Sequence, residues 1–121
     1  MRRFVRFQTS MRASNSALKL GLFYSADKLL NSESLHYYWE ALLRDMFDWF
    51  NRHLPAPRLR QHDPHIIFWF RAECHELICK MWRLAGVLKA NGVDVELVHT
   101  TKPGRVFYED SFQVAAIPWK R

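Results

Sequence analysis

Eight apolar side chains at a helical period constrain the fold of this chain more than any other feature. Leu35, Tyr38, Trp39, Leu42, Leu43, Met46, Phe47 and Phe50 recur at i, i+3, i+4 and i+7. That spacing predicts one apolar face of an amphipathic helix over residues 33–53. Ser32 suits the N-cap, and Glu33 suits the positive end of the helix dipole. On the outer face Glu40 precedes Arg44 and Asp48 precedes Arg52, both at i, i+4 in the favourable order. Pro55 and Pro57 stop the helix. A helix with so wide an apolar face needs an apolar surface to lie on, and strands elsewhere in the sequence supply one.

A second stripe, Cys74, Leu77, Ile78, Met81, Trp82, Ala85 and Leu88, predicts a helix from about Ala72 to Ala90 that stops at Asn91-Gly92. Gly86 costs that helix about 1 kcal/mol relative to alanine, which suggests close approach by another element. Residues 17–30 read as a further helix, with Leu18, Leu22, Leu29 and Leu30 as its apolar positions. Strands are predicted at Arg3–Gln8, where Phe4-Val5-Arg6-Phe7 alternates, and at His65–Phe70, which is short, apolar and aromatic. Val93–Thr100, Arg105–Glu109 and Phe112–Ile117 follow, punctuated by Lys102-Pro103-Gly104 and Asp110-Ser111. The order β-α-α-β-α-β-β-β predicts an α+β domain: a mixed five-stranded sheet with helices packed on one face. His65–Phe70, its helix and Val93–Thr100 should form one parallel βαβ unit, and the last three strands an antiparallel meander.

The chain has 121 residues, 49% of them hydrophobic, which is one domain's worth of core over residues 1–121. With 4 Gly and 5 Pro it is neither collagenous nor low-complexity. Its longest apolar run, Ile66 to Phe70, is too short to span a membrane, so no membrane partner is expected. Cys74 and Cys79 lie five residues apart on a predicted helix, a rise of about 7.5 Å. That exceeds the roughly 7 Å Cα limit for a disulfide, which predicts free thiols and a cytoplasmic location. Residues 1–26 carry Arg2, Arg3, Arg6, Arg12 and Lys19 with no acidic residue. A transit peptide has that composition, but the alternation at Phe4–Phe7 favours a first strand.

Four chemistries find candidate residues in the sequence. His62, His65, Cys74, His75 and Cys79 supply enough donors for zinc. However, Cys74 lies on the apolar stripe while His75 and Cys79 lie to one side of it, so no metal is predicted. Cys79 and His75 stand at i and i+4 within reach of one another, without any glycine-rich loop to hold an oxyanion. The glycines match neither GxGxxG nor a Walker loop, and no cofactor is predicted. Near the last hairpin, His99, Arg105, Glu109 and Asp110 combine a carboxylate pair, an imidazole and a guanidinium. Such a set serves acid–base or phosphoryl chemistry when it converges in a pocket. The simpler reading of Glu109-Asp110-Ser111 is a turn, where Asp bonds its own backbone.

Phe4 to Pro118 resembles small bacterial single-domain proteins of unknown function. The residues that carry the resemblance are Trp69-Phe70, Met81-Trp82, Pro103-Gly104, Tyr108-Glu109-Asp110, Gln113-Val114 and Pro118. It implies a bacterial or bacteriophage-type origin and a compact α+β domain, and it implies no activity.

The net charge is +6. Arg2, Arg3, Arg58, Arg60, Lys102, Arg105 and Lys120 fall in predicted loops, strand ends and termini, where cations meet phosphates without sequence specificity. The reading is a non-enzymatic binding module whose acidic partner is nucleic acid or protein. The alternative is a small enzyme acting on a phosphorylated or nucleotide substrate, with Glu109 or Asp110 as general base, His99 as proton carrier and Arg105 as anion clamp. A third reading is a homo-oligomer with a structural role, because five Trp and nine Phe exceed what one small core hides.

Overall fold

The computed structural model describes residues 2–12, 19–55 and 66–119. The elements are β1 (Phe4–Arg12), β2 (Lys19–Gly21), α1 (Leu22–Leu30), α2 (Tyr37–His53), β3 (Ile67–Arg71), α3 (His75–Ala90), β4 (Val95–Thr100), β5 (Arg105–Glu109) and β6 (Gln113–Ile117). The class is α+β, as the sequence predicts. Among the described residues, however, the sheet has six strands rather than five, and every pairing is antiparallel rather than mixed.

β1 explains most of the difference. Its burial alternates strongly, with Phe4, Val5, Phe7 and Thr9 all buried, and a strand so apolar belongs in the middle of a sheet. It occupies that place by inserting between the two strands of the expected βαβ unit. β3 pairs with one edge of β1 and β4 with the other, so β3 and β4 run in the same direction without touching. The meander is broken for the same reason. β5 and β6 pair as predicted, while β4 lies on the far side of β1. Residues 101–104 carry the chain across. Gly104, at φ 121°, lies so close to the Ile117 carbonyl and the Pro118 Cα that a side chain there would overlap them.

Helix boundaries shift where a side chain or a strand pairing wins over periodicity. Residues 19–21 are drawn into β2, so α1 begins at Leu22 and not near Ala17. α2 begins at Tyr37, because the His36 Nδ1 accepts the Tyr38 amide at 3.2 Å. The expected cap, Ser32, instead shares a hydrogen bond with the Ser34 hydroxyl. α3 ends as predicted, with Gly92 in the left-handed region at φ 84°. Gly86 has open space around it, so no element approaches it closely.

The helices cover the face of the sheet that carries Val5, Phe7 and Phe70. There Leu43 and Phe50 of α2 join Leu77, Met81, Leu84 and Leu88 of α3 and Leu22 and Ala26 of α1 in one core. Burial is narrower than the sequence stripes suggest. Tyr38 is exposed and Trp39 is only half-buried, because α2 enters the core from its second turn onward. Trp82, on the predicted α3 stripe, sits at the rim: its ring packs at about a right angle to Phe7, with centroids 4.8 Å apart, and the Lys89 ammonium lies over it.

Candidate ligand-binding cleft at the fork of β1

One edge of β1 is shared by two strands. β3 pairs with it at Phe4 and Val5, and β2 pairs with it from Gln8 to Arg12. Arg6 and Phe7 lie between the two pairings. Before Phe70, from Ile67 to Trp69, β3 pairs with β6 and not with β1. The gap opens a cleft of about 510 Å³ lined by Phe7, Leu20, Leu22, Phe23, Leu54, Ile67, Phe68, Phe70 and Met81, among others. The volume falls in the range typical of small-molecule sites.

Among the described residues the lining holds no carboxylate. Its polar side chains are Arg6, Lys19, Tyr24 and Gln113. Gln113 is already engaged: its amide donates to the Pro55 carbonyl at 2.7 Å and to Asp110 Oδ2 at 3.1 Å. Lys19 pairs with Glu96 at 3.2 Å. Arg6 is different. It is half-buried, and its Nη2 reaches the Lys19 carbonyl at 3.4 Å. Burial alone pulls its pKa below the ordinary arginine value, yet an arginine in a protein keeps its charge.

One further feature raises the positive potential there. The start of α1 lies at the cleft, because Gly21, Leu22, Phe23 and Tyr24 all line it. Among the described residues no side chain caps that start, and no acidic residue occupies the first turn. A helix start leaves amide N–H groups without intrahelical acceptors and carries partial positive charge.

The sequence-predicted residues distribute differently. His99 lies opposite Val5 on β4 and is exposed. Arg105 lies opposite Ile117 at the start of β5, its guanidinium over the Phe107 ring at 4.7 Å. Glu109 ends the same strand, four residues and roughly 13 Å away. These groups do not converge on one pocket.

Glu109 and Asp110 instead form a structural corner. The buried Arg71 donates from Nη2 to Glu109 at 2.9 Å and from Nε to the Asp110 carbonyl at 3.0 Å. Its guanidinium also lies over Phe4. The Asp110 carboxylate accepts from the Tyr108 hydroxyl at 2.7 Å, the Phe112 amide at 2.7 Å, the Gln113 amide at 3.0 Å and the Gln113 side chain. Partial burial pushes its pKa up, but these four bonds together outweigh it and hold the acid below its ordinary value. Tyr108 is pushed up by donating to that carboxylate.

Of the candidate metal donors, His62 and His65 lie outside the described residues. Cys74 donates to the Ser111 carbonyl at 3.5 Å, and burial followed by the charge of Glu73 raises its pKa, which keeps it a thiol. Cys79 is exposed, and both cysteines are free. No group of three or more metal donors forms among the described residues. A second cavity of about 280 Å³ lies between the end of α2 and the start of α3, beside Trp49, His53, Cys74 and His75. There His53 stacks on Trp49 and donates from Nδ1 to its carbonyl.

Of the predicted cationic contacts, Arg58, Arg60 and Lys120 lie outside the described residues. Arg2, Arg3, Lys102 and Arg105 are exposed. Arg2 sits 3.8 Å from Glu109, at the opposite end of β5 from Arg105. The cations the structure does gather are Arg6, Arg12 and Lys19. The acid-free stretch over residues 1–26 was the available signal for them. No helix among the described residues is long and apolar enough to cross a membrane. No protein-family model, curated protein or solved structure matches the chain.

Proposed function

We propose that this chain is a non-enzymatic binding module for an acidic partner, and that the partner's negative charge is received at the β1–β2 hairpin. The half-buried Arg6 carries this reading. It is a cation held in an apolar wall with no carboxylate partner among the described residues, and an unpaired charge in such a place costs stability unless something else repays it. The separation of His99, Arg105 and Glu109 supports binding over catalysis. Free Cys74 and Cys79 fit a reducing cytoplasm.

The test is a salt titration on a labelled single-stranded oligonucleotide. One contact, from Arg6, gives a roughly two- to threefold loss of affinity from about 50 to about 200 mM salt. Arg6→Gln should flatten that slope. An oligonucleotide that fails to bind at the lower salt removes polyanions as the partner.

A further inference from the structure

The shape and chemistry of the cleft identify a ligand more closely than its charge alone. We infer that the fork of β1 is a binding site for a small amphipathic monoanion, an aliphatic or aryl carboxylic acid. Its carboxylate meets Arg6 and the start of α1, and its apolar body lies along Leu22, Phe23, Ile67, Phe68, Phe70 and Met81. The inference rests on the reading of the hairpin as an anion-receiving surface.

Three observations set the ligand class. The first is the headgroup position. The Arg6 guanidinium lies over Gly21, so that a Cβ built on Gly21 would stand 3.7 Å from Nη2. Gly21 is also the N-cap of α1, in extended backbone and without a capping side chain. Guanidinium and helix N–H groups therefore flank the same small space, and the planar guanidinium matches a carboxylate in two-point geometry. The second is charge number. The Lys19 ammonium is engaged by Glu96, which leaves one guanidinium and one helix start for one negative charge. The third is the body. The Gln113 amide is used by Pro55 and Asp110, so the wall has little to read a sugar or a base edge and favours hydrocarbon.

The site differs from a bare helix N-terminus because Arg6, on β1, has no carboxylate partner among the described residues, and much of the cavity wall lies outside α1, at Phe7, Ile67, Phe68, Phe70 and Met81. It also fits the choice of glycine at position 21, which caps a helix only slightly less well than Asp or Ser. Asp or Ser there would cap α1, and the space around Gly21 accepts a Cβ at ordinary contact distances. Glycine leaves the helix start open to a ligand.

Isothermal titration of the full chain with decanoate, decanol and acetate tests this. Decanoate should bind, decanol about tenfold more weakly, and acetate not measurably, because the carboxylate and the chain are both needed. Arg6→Gln should weaken decanoate about tenfold and leave decanol unchanged. Gly21→Asp places a competing carboxylate at the helix start, so decanoate binding should be lost while the melting temperature holds or rises. That second variant guards against a folding defect in the first. Equal binding of decanoate and decanol, or decanoate affinity unchanged in both variants, overturns the inference. If the oligonucleotide binds and decanoate does not, the cleft ligand falls and the acidic-partner reading stands. If decanoate binds wild type and Arg6→Gln alike and the oligonucleotide does not bind, both fall.

Discussion

Asp110→Ala isolates whether the acidic corner is architecture or chemistry. The carboxylate accepts four hydrogen bonds, two from backbone amides of the β5–β6 turn, one from Tyr108 and one from Gln113. Hydrogen bonds to a charged group contribute roughly 1.5–3 kcal/mol, but these share one partly exposed carboxylate, and Gln113 keeps its bond to Pro55. A net loss of about 2–4 kcal/mol at neutral pH is expected, read by urea denaturation. The pH dependence has a fixed sign. A carboxylate whose folded pKa lies below its unfolded value contributes stability that is full above the unfolded value near 3.9 and is lost as pH falls through the folded one. The difference between wild type and Asp110→Ala should therefore shrink in acid. A variant within about 0.5 kcal/mol of wild type at neutral pH, or a gap that does not narrow in acid, would refute the reasoning.

Other consequences are equally specific. Leu43→Ala, at a fully buried position, should cost about 2–5 kcal/mol, whereas Tyr38→Ala, on the same sequence stripe but exposed, should cost under about 1 kcal/mol. Equal losses would mean that α2 enters the core a turn earlier. A thiol-reactive aromatic disulfide should modify the exposed Cys79 well before Cys74, whose thiol is half-buried and raised in pKa. The reverse order would misplace the start of α3. Gly104→Ala should destabilise by at least about 1–3 kcal/mol, since it combines a positive φ with overlap on Ile117 and Pro118. A neutral result would contradict the crossing of residues 101–104.

The parts of the fold legible in the sequence are those set by local chemistry. The α2 and α3 periodicities, the Gly92 stop and the Asp110 turn each depend on residues within a few positions of one another. What escaped depends on distant pairing. β2 has three residues, too few to show a period of 2, and exists because β1 offers it an edge. Nothing in the Phe4–Arg12 pattern says that the strand will separate β3 from β4. Arg71 has the same character: its partners Glu109 and Asp110 are 38 and 39 residues away. Arg6 stood in view as one of five early cations, but its isolation in an apolar wall appears only once β2 and β3 diverge around it.

Where an acidic group lands on the sheet decides between the β1 fork and the β5 end. Amide and arginine side-chain NMR spectra of the full chain, titrated with decanoate, locate it. The largest shifts are expected at Gly21, Leu22 and Phe23 and at the Arg6 Nε–H, with little change at Lys102, Arg105 or Glu109. Shifts centred on the β5 end of the sheet, with Arg6 and the start of α1 unmoved, would contradict binding at the fork.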